Sequence, residues 1–461
     1  MKLLNIVLLL LVALLVPSAA RAQASCPGNG AGEPGCAAAG NPLNVITGNK
    51  FQREVDLAPL PGVMGLEIVR YYNSSLSGLN SRTGILGRGW RLSYETTLAA
   101  IGDTVQVLQA DGTRLIFARD LLRPSLCSSA DPANGEIDIR RTPRGDEYVW
   151  RKTDGQRLSF NTQGRLVQML APSGEFVSMQ HDARGWLVKV TDPQGRSLKL
   201  DYLDRKAADG TRFSGVSGID TPVGRFDFGY GSSLPAGANV ADRRQLLANL
   251  VQVTTPDGAV RAYHYENARF PTLMTGISIQ VGNKSGQPVL RRFATYGYDS
   301  NALAISSTHA DGVGRIDLDH TVGGRTVLTN SLGQKTVYRY SMMAGSLRIV
   351  EVRGAGCAQC GPTNVRYGYD QRGRLSDTTL LDTEGNAVET RHIDFDHYGR
   401  PAKISRIHHQ GGKAGKPQWL QRFEYASGSA RSPILISRPS VVQGHEYMSR
   451  IGYCDLTGLR A

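Results

Sequence analysis

The most regular feature of the chain is an alternation of apolar and polar residues that a turn interrupts about every ten residues. Between residues 149 and 202 the turns contain glycines spaced 9, 10, 11 and 10 residues apart. The runs between them, such as FVSMQ at 176–180, place apolar side chains on one face of a strand. Because glycine tolerates the positive φ of tight turns, the pattern predicts β-hairpins. The predicted turn glycines are Gly155, Gly164, Gly174, Gly185 and Gly195.

The same rhythm returns with looser spacing in the C-terminal half of the chain. Val365, Tyr367 and Tyr369 alternate along one predicted strand, so their side chains should share a face and pack against a neighbouring strand or turn. Helical periodicity is nearly absent, and the one candidate helix covers 242–249. The predicted fold class is therefore all-β, an extended array of antiparallel β-hairpins. Further predicted turn residues are Asp370, Gly373, Asp396 and Gly399.

The N-terminus has the order of a secretory signal peptide. A lysine precedes the apolar stretch 3–16, and a Pro-Ser break and small residues follow it. We predict cleavage after Ala22 or Ala24, which makes 1–22 the signal peptide and 23–40 a flexible Gly/Ala/Pro-rich leader. The protein is then exported to the periplasm, the cell surface or the medium. Since no later apolar run reaches about 18 residues, we expect no membrane span after cleavage.

Composition and charge narrow the possible partners. Glycine contributes 53 of the 461 residues, an abundance that fits frequent turns. With 53 Lys+Arg against 40 Asp+Glu, the formal net charge is +13, which favours anions such as acidic envelope polysaccharide. Basic and acidic residues nevertheless alternate along most of the chain, as they do on solvated strand faces. The sequence contains no nucleic-acid-binding motif, so nucleic acid is not an expected partner.

The six cysteines permit three disulfides in an oxidising compartment. Cys26 and Cys36 bracket a Gly/Pro-rich loop and form one candidate pair. Cys357 and Cys360 have the C-x-x-C spacing of a disulfide, a zinc half-site or a redox motif. A zinc site would need a second ligand pair and a redox motif a thioredoxin-like context, and the sequence offers neither. We therefore prefer a local disulfide at this motif.

Candidate catalytic and metal-binding residues are few. His392, Asp394 and Asp396 share one face of a predicted strand, a spacing that could hold a divalent metal, but Asp396 also occupies a turn position. The adjacent His408 and His409 point to opposite faces of a strand. Common hydrolase, zincin and P-loop motifs are missing, and the one G-x-G-x-x-G pattern lies in the leader without a flanking strand or helix. The sequence predicts no catalytic residues, metal or cofactor.

Three segments share an aromatic residue or histidine followed by Asp-x-x-Gly. They are YDQRGRL at 369–375, HDARGWL at 181–187 and FDHYGR at 395–400. This pattern resembles the YD repeat of the RHS (rearrangement hotspot) proteins. Three further segments are similar to ordered parts of the domain that precedes the repeats in many RHS proteins. They are GNPLNVITGNK at 40–50, RYYNS at 70–74 and LGRGW at 86–90.

The resemblance implies a small β-rich N-terminal domain at 41–135 and YD/RHS repeats at 136–461 that curl into a spiral or partial shell. It also implies an exported, non-catalytic scaffold of a toxin-delivery or cell-surface system, whose partner is a toxin or a downstream RHS core segment. Residues 451–458 read as one more repeat, so we expect no toxin domain in this chain. The alternative is a carbohydrate-binding or adhesive module that contacts envelope polysaccharide. An envelope hydrolase is the third interpretation.

Overall fold

The computed structural model describes residues 38–78, 83–206, 210–239, 245–343, 346–357, 361–426 and 432–452. In these ranges the chain forms β-strands and short 3-10 helices, and no α-helix occurs in them. The predicted all-β fold class is thus confirmed. Of the candidate helix at 242–249, the described residues 245–248 form a 3-10 turn. Within the described ranges, no helix has the length and hydrophobicity needed to cross a bilayer.

Two small antiparallel sheets come first in the chain. One pairs β1 with β2, and the other has the order β3-β4-β5. Besides the turn at 245–248, short 3-10 helices lie at Ser74–Leu76, Pro132–Asn134 and Ala310–Gly312. The strands of the two sheets are β1 (Ala38–Ala39), β2 (Leu43–Asn44), β3 (Phe51–Leu57), β4 (Ile68–Asn73) and β5 (Trp90–Leu92).

All later strands form one large sheet in which each strand pairs antiparallel with its predecessor, except that β31 pairs with both β32 and β33. We call this sheet the ribbon. Its first strands are β6 (Thr97–Ile101), β7 (Thr104–Leu108), β8 (Arg114–Arg119), β9 (Leu126–Ser128), β10 (Glu136–Thr142), β11 (Gly145–Arg151), β12 (Arg157–Phe160), β13 (Leu166–Leu170), β14 (Phe176–His181), β15 (Leu187–Thr191), β16 (Ser197–Lys206), β17 (Arg212–Thr221), β18 (Gly224–Tyr230), β19 (Leu250–Thr254) and β20 (Val260–His264).

The ribbon continues without a change in strand order to the last described strand. These strands are β21 (Gly276–Lys284), β22 (Gln287–Tyr298), β23 (Ala304–His309), β24 (Ile316–Asp319), β25 (Arg325–Asn330), β26 (Lys335–Met343), β27 (Ser346–Gly354), β28 (Val365–Tyr369), β29 (Leu375–Leu381), β30 (Ala387–Phe395), β31 (Pro401–Gln410), β32 (Lys413–Ala414), β33 (Gln418–Tyr425), β34 (Pro433–Pro439) and β35 (Glu446–Arg450). The ribbon begins at Thr97, and the domain boundary that we predicted at 135/136 falls between β9 and β10, which pair with each other.

One face of the ribbon carries most of its buried apolar side chains, and we call it the inner face. On β26, Tyr338 is buried while its neighbour Arg339 is exposed on the opposite face. The buried residues of the apolar core run from Ala39 to Tyr367, so the core is shared by the N-terminal sheets and the ribbon up to β28. The strands after β28 contribute little to it.

The ribbon curls back on itself in two places. Thr97 forms an antiparallel bridge with Arg165, and the Leu98 N–H donates to the Gly164 carbonyl at 2.8 Å, so β6 meets the turn between β12 and β13. Farther along, a Cβ built on Gly399 would lie 3.4 Å from Cγ of Pro132. The turn after β30 therefore lies beside the loop before β10.

The first of these contacts gives a stability prediction. A Cβ at Gly164 would lie 1.8 Å from the Leu98 carbonyl oxygen, whereas a Cβ at Gly174 would meet nothing within 4 Å. Both glycines have positive φ. We expect Gly174→Ala to cost about 1 kcal/mol of unfolding free energy from backbone strain alone. Gly164→Ala should cost about 2–3 kcal/mol because the clash is added. Urea denaturation of both variants tests this, and equal losses would contradict the contact.

Candidate functional site: the junction of the N-terminal sheet and the ribbon

The three-stranded N-terminal sheet packs on the inner face of the ribbon, and Trp90 of β5 lies at the centre of this contact. Its side chain is fully buried. Its ring centroid lies 5.3 Å from that of Tyr72 on β4 and 4.8 Å from that of Tyr263 on β20. The indole N–H donates to the Tyr265 hydroxyl at 3.4 Å. Because tilted and edge-on ring pairs stabilise beyond the area that they bury, this cluster fixes the sheet on β20.

A buried ion pair lies beside this aromatic cluster. The guanidinium of Arg70 donates to Oδ1 of Asp56 at 2.9 Å and to the Tyr263 hydroxyl at 2.8 Å, and it lies 4.8 Å over the Trp90 ring. The Arg70 side chain has no exposed area and that of Asp56 is 7% exposed. Burial opposes the charge, but the Asp56 carboxylate and Tyr263 raise the pKa of Arg70 above its usual value. Arg70 is therefore a cation held in the junction between the two units.

The segment 40–50 docks on a different part of the ribbon. Lys50 is fully buried and its Nζ donates to the carbonyls of Asn41 and Phe51 at 2.5 and 2.6 Å. The Asn41 N–H donates to Oγ of Ser307 at 3.0 Å, and the Gly48 carbonyl accepts from the Ala304 N–H at 2.7 Å. Burial lowers the pKa of Lys50 well below its usual value. Lys50 thus stabilises the loop 40–50, which contacts β23, by binding backbone carbonyls at both ends of the loop.

Backbone contacts extend the junction along the ribbon. The Ile85 carbonyl accepts from the Val216 N–H at 2.8 Å, and the Ala248 carbonyl accepts from the Arg88 N–H at 2.9 Å. At another edge, Nη2 of Arg196 donates to the Pro61 carbonyl at 2.8 Å. The N-terminal sheet and the loops around it therefore contact the ribbon from the turn before β16 to β23. The junction, as we use the word, consists of residues 40–50, Asp56, Arg70, Tyr72 and Trp90 with their partners on the ribbon.

The structure places the predicted turn residues in hairpin turns. Asp370 accepts from the Arg374 N–H at 2.9 Å and from its Nε at 2.7 Å, and Asp396 binds Arg400 at the same two distances. Arg374 then lies 4.2 Å over the Phe395 ring of the next hairpin. This Asp-x-x-Gly-Arg unit links one turn to the following hairpin, which is a structural role. Positive φ values of 71–100° occur at Gly155, Gly164, Gly174, Gly185, Gly195, Gly373 and Gly399.

Tyrosines in or directly after strands of the ribbon form a second repeated contact. The hydroxyl of Tyr369 donates to the Ile349 carbonyl at 2.7 Å, which lies 20 residues earlier. A β-bulge directly before the tyrosine, between Gly368 and Tyr369, turns its side chain toward the preceding hairpin. The contact therefore joins successive hairpins across the inner face. The same kind of bond to an earlier carbonyl is made by Tyr202, Tyr230, Tyr265, Tyr298 and Tyr425.

Of the three candidate metal-binding residues, His392 and Asp394 remain in contact and Asp396 does not join them. Nδ1 of His392 lies 2.7 Å from Oδ1 of Asp377, and Nε2 lies 3.2 Å from Oδ1 of Asp394. Asp396 instead holds Arg400. No group of three or more His, Cys, Asp and Glu side chains suited to a metal ion occurs among the described residues. His392 is therefore best described as an imidazole between two carboxylates.

This arrangement makes part of the stability depend on pH. Burial opposes the charge, but Asp377 and Asp394 raise the pKa of His392 above the ordinary value. The stabilisation is then complete below about pH 6.5 and is lost as pH rises through the raised pKa. Because the cluster is half-exposed, we expect His392→Gln to cost about 0.5–1 kcal/mol at about pH 5.5 and little at about pH 9. Urea denaturation at both pH values tests this. His397→Gln is the control, and equal losses of the His392 variant at both pH values would contradict the assignment.

A serine, a histidine and a glutamate also meet on the outer side of β20 and β21. Nε2 of His264 lies 2.8 Å from Oγ of Ser278, and Nδ1 lies 3.8 Å from Oε1 of Glu266. Ser278 is 5% exposed, and the same Glu266 oxygen accepts from Arg292 at 2.7 Å. Burial and the nearby Arg292 lower the pKa of His264. A substrate could not reach the Ser278 hydroxyl without rearrangement, so this group does not favour the hydrolase interpretation.

Several predicted residues lie outside the described part of the chain. They are Ala22, Ala24, Cys26, Cys36 and Cys360. Cys357 is disulfide-bonded. Cys127, which we did not single out, carries a free buried thiol.

Comparisons with known proteins agree with the motifs. The model of a domain of unknown function, DUF6531, matches residues 40–117, and the RHS repeat model matches residues 160–197. The chain is 23% identical over 367 residues to double-stranded DNA deaminase toxin A of Burkholderia cenocepacia (strain H111). That match covers 77% of this chain but 19% of the relative, so the chain spans about a fifth of the protein that it matches.

Solved structures show weaker similarity. The crystal structure of TcdB2-TccC3 is 11% identical with a TM-score of 0.40, and the match covers 87% of this chain and 26% of that chain. The N-terminal domain of the effector protein SpvB from Salmonella typhimurium strain LT2 is 12% identical with a TM-score of 0.21. That match covers 66% of this chain and 98% of the SpvB domain. Since these scores lie below 0.5, we base no argument on them.

Proposed function

We propose that this chain, which carries RHS repeats behind a matching N-terminal domain, is an exported scaffold of a toxin-delivery or cell-surface system. In this proposal the ribbon is a structural scaffold and has no catalytic activity of its own. The single observation that carries it is the continuous sheet from β6 to β35, whose inner face packs against the N-terminal sheet at Trp90 and which the loops around that sheet contact from the turn before β16 to β23. A sheet that is covered on one face has an enclosed side, where a partner could be held, and a side that faces solvent.

The inner face of the later strands offers a place for a partner. Leu380 of β29 lies opposite Val365 of β28 and so shares its face, yet Leu380 is 48% exposed. An apolar side chain left open there suits contact with another polypeptide. Because a matched relative is a toxin, we propose that this polypeptide is a toxin or a further RHS core segment. Export by the N-terminal signal would bring the scaffold to the envelope.

Site-specific cross-linking in the producing cell tests the scaffold. A photoreactive residue at Leu380 should cross-link to a polypeptide, whereas the same residue at Arg366 should not, because Arg366 lies on the opposite face with its side chain half-exposed. Equal cross-linking from both positions, or none from Leu380, would contradict the proposal. Retention on envelope polysaccharide without any cross-linked polypeptide would instead support the carbohydrate-binding alternative. Cell fractionation of the same strains tests export.

A further inference from the structure

The loop between β8 and β9 exposes two large apolar side chains at its tip. Leu121 is 91% exposed and Leu122 is 93% exposed. The loop is nevertheless ordered, because Oδ1 of Asp120 accepts from the backbone N–H groups of Leu122 and Arg123 at 2.9 and 3.0 Å. The two leucines are therefore held out into solvent by a defined turn. Exposed apolar groups of this size indicate a binding surface.

The neighbouring hairpin tips lie on the same rim of the ribbon. The Asp103 carbonyl in the β6–β7 turn accepts from the Arg119 N–H at 2.8 Å, and the Ser125 carbonyl accepts from the Ile139 N–H of β10 at 2.7 Å. The third tip is the turn between β10 and β11, so the three tips follow one another along this edge, two strands or about 10 Å apart. The first of them adds Ile101, which is 56% exposed. We call residues 99–103, 119–125 and 140–146 the leucine rim.

Basic side chains flank the apolar tips. Arg140, Arg141 and Arg144 are exposed, and none of them makes an ion pair with another described residue. Arg123 forms an ion pair with Asp120 at 3.0 Å, while 67% of its side chain stays exposed. Asp146 and Glu147 lie across from Arg141 and Arg140 on β11 and offset part of the charge. The rim thus combines projecting apolar groups with exposed arginine side chains.

We propose that the leucine rim rests on the surface of an anionic lipid bilayer. The leucines and Ile101 would enter the boundary between headgroups and acyl chains, and the arginines would contact lipid phosphates. Because Asp146 and Glu147 offset part of the charge, we expect the apolar side chains to contribute most of the binding free energy. The arginines would account for the preference for anionic lipid. An exported protein meets such surfaces, but this contact does not depend on whether the ribbon holds a toxin.

Vesicle sedimentation with the purified full chain tests the proposal. The protein should pellet with phosphatidylcholine vesicles that contain phosphatidylglycerol, and less with phosphatidylcholine alone. The double substitution Leu121→Asp with Leu122→Asp should lower the partition coefficient by about tenfold or more. Arg141→Gln with Arg144→Gln should mainly remove the preference for the anionic vesicles and its sensitivity to salt.

Leu332→Asp is the matched control. Leu332 is 80% exposed in the turn between β25 and β26, so its replacement removes one exposed leucine and adds one negative charge at another place, as each of the two rim substitutions does. Its binding should equal that of the unchanged protein. Absence of sedimentation with both vesicles, or equal losses in the Leu332 and the Leu121/Leu122 variants, would overturn the proposal. Unchanged melting temperatures of all variants exclude unfolding as the cause.

Discussion

Replacing Arg70 with Met should lower the free energy of unfolding by about 3–5 kcal/mol. The substitution leaves the Asp56 carboxylate without its partner at 7% exposure, and it also removes the cation over the Trp90 ring. A buried charge that loses its partner costs more than the pair contributed, because water no longer solvates it. Urea denaturation followed by tryptophan fluorescence measures the loss, since Trp90 lies in the same cluster.

Arg225 provides the control for this prediction. It contacts Asp201, Asp220 and Asp227 at 2.7–3.0 Å, but its side chain is 38% exposed. Because solvent screens such pairs, Arg225→Met should cost about 1 kcal/mol or less. The double variant Asp56→Asn with Arg70→Met should recover part of the lost stability by removing the orphaned charge. Equal losses in the Arg70 and Arg225 variants would show that the junction does not hold a buried ion pair.

Replacing Tyr369 with Ala should cost about 3 kcal/mol, toward the lower end of the range for aromatic residues because the ring is only partly buried. Tyr369→Phe should cost about 1 kcal/mol, since it loses only the hydrogen bond to the Ile349 carbonyl. Burial raises the pKa of Tyr369 to about 12, so the hydroxyl stays protonated at neutral pH. Thermal melts of both variants measure the difference. Tyr447→Ala, at a residue that is 64% exposed, should leave the melting temperature unchanged.

The same substitution separates the scaffold from the carbohydrate-binding alternative. Tyr367 is 6% exposed and Tyr369 is bonded to the preceding hairpin, so the two side chains pack between strands. In a scaffold, Tyr369→Ala therefore lowers stability. An unchanged melting temperature together with weaker retention on a polysaccharide column would mean that the tyrosines form an open glycan platform, and the scaffold interpretation of this strand would then be wrong.

The hairpin array could be predicted because its causes are local. A glycine such as Gly174 marks its own turn, and Asp370 and Arg374 of one turn lie four residues apart. The junction could not be predicted in this way. Arg70 and Tyr263 lie 193 residues apart, and nothing near either residue identifies the other. The RYYNS segment pointed to a domain type, but it did not show that its arginine is a buried cation against β20.

The ribbon begins before the domain boundary that we predicted at 135/136, and the spacing of the turns explains this difference. The glycine rhythm becomes clear only at Gly155, whereas the ribbon begins at Thr97. The turns at Gly102 and Gly112 are ten residues apart, but the longer loop before β9 and the 3-10 helix Pro132–Asn134 before β10 then interrupt the spacing. A pattern of turns identifies regular hairpins and misses strands that pair into the same sheet through irregular connections.

The tyrosine bonds are compatible with folding of the ribbon from its N-terminal end. Each tyrosine of this group donates to a carbonyl in an earlier part of the chain. The carbonyl lies 15 residues before Tyr202 and Tyr265 and 24 residues before Tyr425. Each new strand can therefore fasten onto strands that already exist, without waiting for later residues. A chain that emerges from a translocation channel with its N-terminus first can fold in this way as it appears, in the order in which domains fold during synthesis.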